Sequence, residues 1–423
     1  MKFSKSFALM TSALLALSGT AFAMDNLEKL KNVKVTGISL DIPTVPQEGR
    51  NADAIRANLE KVKLPPGFNI ELYAIVPDAR EMAVGLATNM VFVGTRKTSV
   101  WAVTDRNGDS IADEVKEFAP SISKKVPNAV CFTPDGFLII VEHNRILNFP
   151  AAEFFYESPD VAVIEVVSQG NLIPESEESF NHGARTCEVG PDGKLYVTLG
   201  QPYNVQPATK VDYYDEIGIG GIIRLDPFDG SGREVYSRGV RNSVGMGFNP
   251  ADGTLWWTDN QVDGLGDNVP PGELNRSTTI GEHFGFPYWN GDYKVAGSGA
   301  APDLADMAEP VGAVFPQVNF PAHQAQLGMA FYTGQKFPSK YRGGIFVASH
   351  GSWNRTEPSG ALINFIPLND DGTAGQSEVF AEGWLDETGI YKGRPVDVAM
   401  MKDGSMLVSD DYVGAIYRIS YGN

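Results

Sequence analysis

Six copies of one short pattern constrain this chain more than any other feature. Each copy runs from a small or apolar segment through a turn into a β-rich run that ends on a polar residue. The copies begin at Glu81, Asn128, Ala184, Asn242, Leu327 and Pro395. Four of them carry Asp-Gly at the turn, the dipeptide that suits a two-residue hairpin. Their flanking runs alternate or are continuously apolar, as buried inner strands are. The copies lie roughly 45 to 85 residues apart, room for a four-stranded sheet with loops of unequal length. Such units bury their faces by stacking round a ring, so the pattern predicts an all-β chain, a six-bladed β-propeller of four-stranded blades. The 45 Gly and 27 Pro residues among 423 agree with many short strands and turns. The propeller is expected over 64–423 as a single domain, after an extension at 24–63 in which Asn51 to Val62 reads as a short helix. The Gly/Pro-rich stretch 276–325 reads as a large loop over one face.

The first 23 residues have the form of a secretory signal: Lys2 and Lys5, then a short apolar run, then Ala21-Phe22-Ala23 as a cleavage site. No later stretch reaches the length of a membrane span. No Cys follows the cleavage site to take a lipid. The expectation is a periplasmic or secreted protein without stable membrane insertion. The formal net charge of −18 disfavours nucleic acid and anionic lipid surfaces as partners. Cys131 and Cys187 are the only cysteines. Export permits a bridge between them, yet both sit in apolar strand patterns, and buried free thiols are the expected state.

In a propeller the inner strands converge on a central channel, and polar residues just before or after them gather at one mouth. Arginine is common at these edges: Arg80, Arg96, Arg185, Arg241, Arg355 and Arg394. Several guanidinium groups at one mouth of an acidic protein point to a polyanionic ligand held by charge-assisted bonds. His182, in Phe-Asn-His-Gly-Ala-Arg, stands at such an edge and suits a general base. His350 opens His-Gly-Ser-Trp-Asn-Arg at another, where Trp353 suits stacking on a planar ligand or a sugar face. His283 reads as packing, and His323 has no informative context. Asp105, Asn107, Asp109 and Asp113 have the alternate spacing of a calcium loop, although Ser110 replaces its turn glycine and Lys116 stands where its bidentate Glu belongs.

From about Leu64 onward the chain resembles the soluble pyrroloquinoline quinone (PQQ)-dependent sugar dehydrogenases, the glucose/sorbosone dehydrogenase family, and within it the sorbosone-dehydrogenase-like branch. The strings that carry the likeness are Asn-His-Gly-Ala-Arg-Thr, Gly-Pro-Asp-Gly-Lys-Leu-Tyr-Val, Arg-Gly-Val-Arg-Asn-Ser-Val-Gly-Met, Trp-Trp-Thr-Asp-Asn, His-Phe-Gly-Phe-Pro, His-Gly-Ser-Trp-Asn-Arg and Gly-Arg-Pro-Val-Asp-Val. The resemblance implies PQQ and calcium at one mouth of the channel. It implies His182 as the base and Arg241 as the cation that stabilises charge on the quinone oxygen. It makes Asn242 and Asn260 cofactor contacts, Arg355 and Arg394 holders of PQQ carboxylates, and the backbone carbonyls of Gln261 and Val262 the calcium ligands. The activity implied is oxidation of an aldose or sugar aldehyde by hydride transfer, with electrons passed to an external acceptor such as cytochrome c.

The chain departs from the family pattern in three places. Gly272 precedes Glu273 where relatives carry Asp, Gly200-Gln-Pro-Tyr-Asn lacks a Cys pair, and Val396 replaces a second Arg. Two other readings stay open from the residues. One is a calcium-dependent lactonase-type hydrolase built on Glu142, Asn204, Asp259 and Asp410. The other is a binding propeller that has lost PQQ, for which Gly272 is the main reason.

Overall fold

The computed structural model describes residues 33–35, 42–157 and 161–422; the secretory signal read at 1–23 lies outside them. Six antiparallel four-stranded sheets form a six-bladed β-propeller, as the repeat requires. The inner strands are Met82–Val84, Ala129–Phe132, Cys187–Val189, Met246–Phe248, Gln326–Phe331 and Pro395–Met400. Each lies beside the next, and the sixth lies beside the first, so the ring closes.

Closure is made by pairing distant parts of the chain. Phe68–Ile75 is the outer strand of the last blade and pairs with Ala415–Tyr421, from Phe68 opposite Tyr421 to Ile75 opposite Ala415. This pairing covers the outer edge of Ala415–Tyr421 and ties the two ends of the propeller into one sheet. The expected short helix is present at Arg50–Leu59. Its Ala52, Ile55 and Leu59 pack into an apolar cluster with Phe337, Phe380, Trp384 and Tyr417 of the last two blades. Val33–Val35 adds a fifth strand to the second blade, against Ala162–Val167.

Between blades the contacts are apolar layers. Trp256, Trp257, Phe92 and Phe118 are fully buried, and each buried aromatic contributes a large apolar area. Cys131 and Cys187, from the inner strands of the second and third blades, are disulfide-bonded. This corrects the expectation of free thiols: adjacent inner strands bring the two Cα atoms to 6.0 Å, within bonding reach, a proximity that strand patterns read one at a time do not register. In the long loop of the fourth blade, Trp289–Asn290 and Tyr293–Lys294 form a two-stranded sheet, and Phe286, Tyr288, Val295 and Leu304 give the loop its own small core.

Candidate functional site

Antiparallel pairing dictates where chemistry can gather. Within a blade, the start of the inner strand and the end of the second strand share one end of the sheet. Residues before inner strands and after second strands therefore ring one mouth of the channel. A cavity of about 460 Å³ lies there. Its wall includes His182, Arg241, Asn242, Asn260 and Gln261, joined by Arg80, Arg96, His350 and Trp353.

His182 is held in a left-handed turn (φ 54°). Its Nδ1 lies 2.6 Å from the carbonyl oxygen of Gln201. A carbonyl only accepts, so Nδ1 carries the hydrogen and Nε2 keeps its lone pair. Burial and the nearby Arg241 push the His182 pKa down to about 3, which keeps the ring neutral. Close packing of this turn needs Gly200, because a Cβ there would sit 2.7 Å from both the His182 carbonyl oxygen and Asn242 Oδ1.

Arg241 is 3% exposed. Its guanidinium donates to the Asn204 carbonyl at 2.8 Å, to Asn204 Oδ1 at 2.8 Å, to the Asn260 carbonyl at 3.2 Å and to Asp263 at 3.1 Å. Its backbone is fixed by Asp259, whose carboxylate accepts the N–H groups of Arg241, Asn242 and Asn260 at 2.6 to 2.8 Å. Asp263 also accepts from Asn354 Nδ2 at 2.6 Å, tying the fourth blade to the fifth. Arg80 donates to Asn128 and to Asp411, both at 2.6 Å. Asp411 in turn accepts from His350 Nε2 at 2.8 Å.

Arg355 and Arg394 are placed elsewhere, a correction to the expected ring of arginines. Arg355 donates to the carbonyls of Asp267, Ala322 and Glu357. Arg394 donates to the carbonyls of His350 and Gly351 and lies over the Tyr391 ring. Neither lines the cavity. Both donate to backbone oxygens that only the folded loops bring into range.

The carboxylates of the hydrolase reading are likewise committed. Glu142 pairs with Arg145 and accepts the Lys125 N–H. Asp410 accepts from Arg394 N, Tyr412 N, Val413 N and the Tyr417 hydroxyl. The 105–113 loop is a hydrogen-bonded acidic turn: Asp105 accepts from Gly108 and Ser110, Asn107 from Asp109, Asp109 from Ile111, and Asp113 from Arg106 and Asn107. Among the described residues no group of three or more His, Cys, Asp or Glu side chains is arranged to hold a metal ion. The Asn107 amide donates to Asp109 and Asp113, so Asp105, Asn107, Asp109 and Asp113 share this one turn.

Gly272 is explained by its neighbours. A Cβ there would meet Gln326 Oε1 at 2.0 Å and Gln261 Nε2 at 2.3 Å, and those two amides bond to each other at 3.0 Å. A neutral amide pair fills the space that an aspartate needs. Gln261 lines the cavity, and Val262 beside it is fully buried.

Sequence reasoning missed Asp263 and His323, which both line the cavity. Asp263 lies three residues past Asn260 on the same loop, a position the edge rule reaches if extended. His323 Nε2 donates to the carbonyls of Gly266 and Val269 at 2.8 and 3.1 Å; no local signal marks it.

Fold and mouth together define a class, the six-bladed propellers whose channel mouth is lined by arginine and imidazole. Residues 159–359 match the sequence profile of the family described as Glucose / Sorbosone dehydrogenase. Over those residues the chain is similar to that family, as its motifs imply. Residues 306–422 match the family described as TrAA12-like. A Borreliella burgdorferi protein of uncharacterized function is 35% identical over 253 residues, 59% of this chain; the chain spans 63% of that relative's length. Among solved structures, a Carbohydrate-Active Enzymes Family AA12 protein of Trichoderma reesei aligns with TM-score 0.69 at 19% identity, over 86% of this chain and 98% of that one. The PQQ domain of pyranose dehydrogenase from Coprinopsis cinerea aligns with TM-score 0.65 at 19% identity, over 85% and 97%. The soluble aldose sugar dehydrogenase of Escherichia coli aligns with TM-score 0.60 at 17% identity, over 84% and 99%. At these identities the likeness is one of fold.

Proposed function

We propose that this chain is an exported PQQ-dependent oxidoreductase that oxidises an aldose or a sorbosone-like sugar aldehyde and passes the electrons to an external acceptor such as cytochrome c. The observation that carries the reading is the neutral imidazole of His182, its Nε2 unprotonated, in one cavity with the Arg241 guanidinium.

Two features of this cavity suit PQQ. Asn242 Oδ1 and Asn354 Oδ1 are buried acceptors without a partner, which suits a ligand that brings N–H or O–H groups. Three guanidinium groups in the wall suit a flat polycarboxylate. Asn242 and Asn260 would contact it, and the carbonyls of Gln261 and Val262 would hold its calcium ion. When bound, PQQ supplies a two-electron acceptor for hydride.

The protein's own work is proton transfer and charge. His182 takes the proton of the sugar hydroxyl at Nε2 while the Gln201 carbonyl fixes the ring through Nδ1. An anionic ligand beside Arg241 offsets the cation that depresses His182, so basicity rises once the site is filled. Arg241, held by four acceptors, presents a fixed cation where negative charge develops, at no cost in reorganisation. The disulfide agrees with an oxidising, exported compartment. Among the described residues no helix is long and apolar enough to cross a membrane.

The test is titration of the purified protein with PQQ and calcium, followed by dye reduction with aldoses. His182→Ala is expected to bind PQQ with near-native affinity and to lose about 10²- to 10⁴-fold in turnover. Arg241→Ala is expected to lose both binding and turnover. Full turnover in His182→Ala would remove the base from this account.

A further inference from the structure

We infer that Arg96 is this chain's anchor for a ligand carboxylate, a role taken from the first blade. The inference rests on the PQQ reading for the identity of the ligand but on geometry for the residue. Of the three arginines in the cavity wall, two are already committed. Arg80 is bonded to Asn128 and Asp411, and Arg241 to Asn204, Asn260 and Asp263. The guanidinium of Arg96 makes no hydrogen bond or ion pair among the described residues, although its backbone N–H is tied to Asp78 at 2.7 Å. It therefore stands on a fixed loop with its donors free.

Arg96 is solvent-exposed at the rim of the cavity, so its donors are open to a ligand. Arg80 is close enough to disfavour the charged form of Arg96. The nearby Asp411 carboxylate is already shared between Arg80 and His350, at 2.6 and 2.8 Å. Asp411 and Asp78 favour its charged form but neither bonds its guanidinium. Elsewhere in the wall Asn242 Oδ1 and Asn354 Oδ1 are acceptors without a partner. A ligand with a carboxylate for Arg96, and with N–H or O–H groups for the two amides, satisfies both. The basic positions that the family pattern points to, Arg355 and Arg394, donate to backbone carbonyls and do not line the cavity, so anchoring falls to another part of the ring.

Calorimetric titration of the full chain separates these roles. The ligands are PQQ with calcium and, in parallel, benzene-1,3,5-tricarboxylate, a flat carboxylate with no redox chemistry. Arg96→Ala is expected to weaken PQQ binding about thirtyfold, the scale of a charge-assisted bond. Arg96→Lys should recover part of the loss, and Arg355→Ala and Arg394→Ala should stay within about threefold of native affinity. Thermal melting of each variant checks that it is folded, and Arg96→Met serves if the alanine variant is not. Native affinity in folded Arg96→Ala or Arg96→Met overturns the inference. Should the native chain bind the tricarboxylate through Arg96 but not PQQ, the anchor stands and the PQQ reading falls. If it binds neither, both fall.

Discussion

The fourth and sixth blades solve the same local problem in the same way and then part company. The second strand of each ends in a hydroxyl residue followed by aspartate, Thr258-Asp259 in one and Ser409-Asp410 in the other. Each hydroxyl reaches the next blade at 2.6 Å, Thr258 to the Leu327 carbonyl and Ser409 to the Arg80 carbonyl. Each aspartate accepts the backbone N–H of an arginine before the inner strand, Arg241 at 2.7 Å and Arg394 at 2.8 Å. The side chains then diverge. Arg241 meets Asn204 and Asp263 in the cavity wall, whereas Arg394, which does not line the cavity, meets the carbonyls of His350 and Gly351. A repeated motif thus fixes a backbone, while neighbours from other blades decide what the side chain does.

Removal of the two aspartates should have the largest effect on the fold. Asp259→Ala strands the N–H groups of Arg241 and Asn242, while Asn260 N–H keeps the Asn242 carbonyl at 3.2 Å. Asp410→Ala strands three part-buried N–H groups and the buried Tyr417 hydroxyl. At about 1–3 kcal/mol for each buried group left unmatched, partly offset by entering water, each variant should lose about 3–5 kcal/mol in denaturant unfolding. Only Asp259→Ala should also lower PQQ affinity, because Asp259 alone holds Arg241, Asn242 and Asn260. An equal loss of affinity in both variants would break the comparison.

Next in size are the arginines themselves. Arg241→Ala should weaken PQQ binding about a hundredfold, and Arg394→Ala should leave it within about threefold while lowering the melting temperature. Measured affinities in the reverse order would return Arg394 to the cofactor.

The smallest expected effect sharpens a further difference between the blades. The sixth blade places Asp397 at the inner strand, where burial pushes its pKa up to about 7 and Glu81 and Glu188 lie near enough to be affected by it. The fourth blade has Gly245 in this region, where a Cβ would meet the Leu327 carbonyl at 2.0 Å. A carboxyl raised in the folded state binds its proton more tightly there than in the unfolded chain. The stability this gives is complete below about pH 4 and lost as pH rises through about 7. Asp397→Asn should therefore stabilise the protein by about 1–3 kcal/mol at pH 8 and hardly at all below pH 4. A pH-independent gain would show that Asp397 does not titrate in this window.

Much of the architecture was legible in the sequence. Inner strands can be read from one segment at a time, because alternation and Asp-Gly turns are local. His182 and Arg241 were legible too, since strand ends in a ring converge on one mouth. The disulfide was not, because Cys131 and Cys187 meet only through two blades packed side by side. Nor were the commitments of Arg355 and Arg394: a guanidinium near a mouth looks the same in sequence whether it faces a ligand or a backbone carbonyl. Gly272 looked like a loss and proved to be room for the Gln261–Gln326 pair.

The amino-acid sequence by itself determined the number of blades, the turns, and which residues stand at the rim, since these follow from periodicity and chain direction within single repeats. Only the tertiary structure decided which rim cations remain free. Hydrogen-bond partners for a long side chain come from other repeats, often more than 30 residues away, as Asn204 and Arg241 do. Such partners are fixed by the packing of blades, on which periodicity is silent.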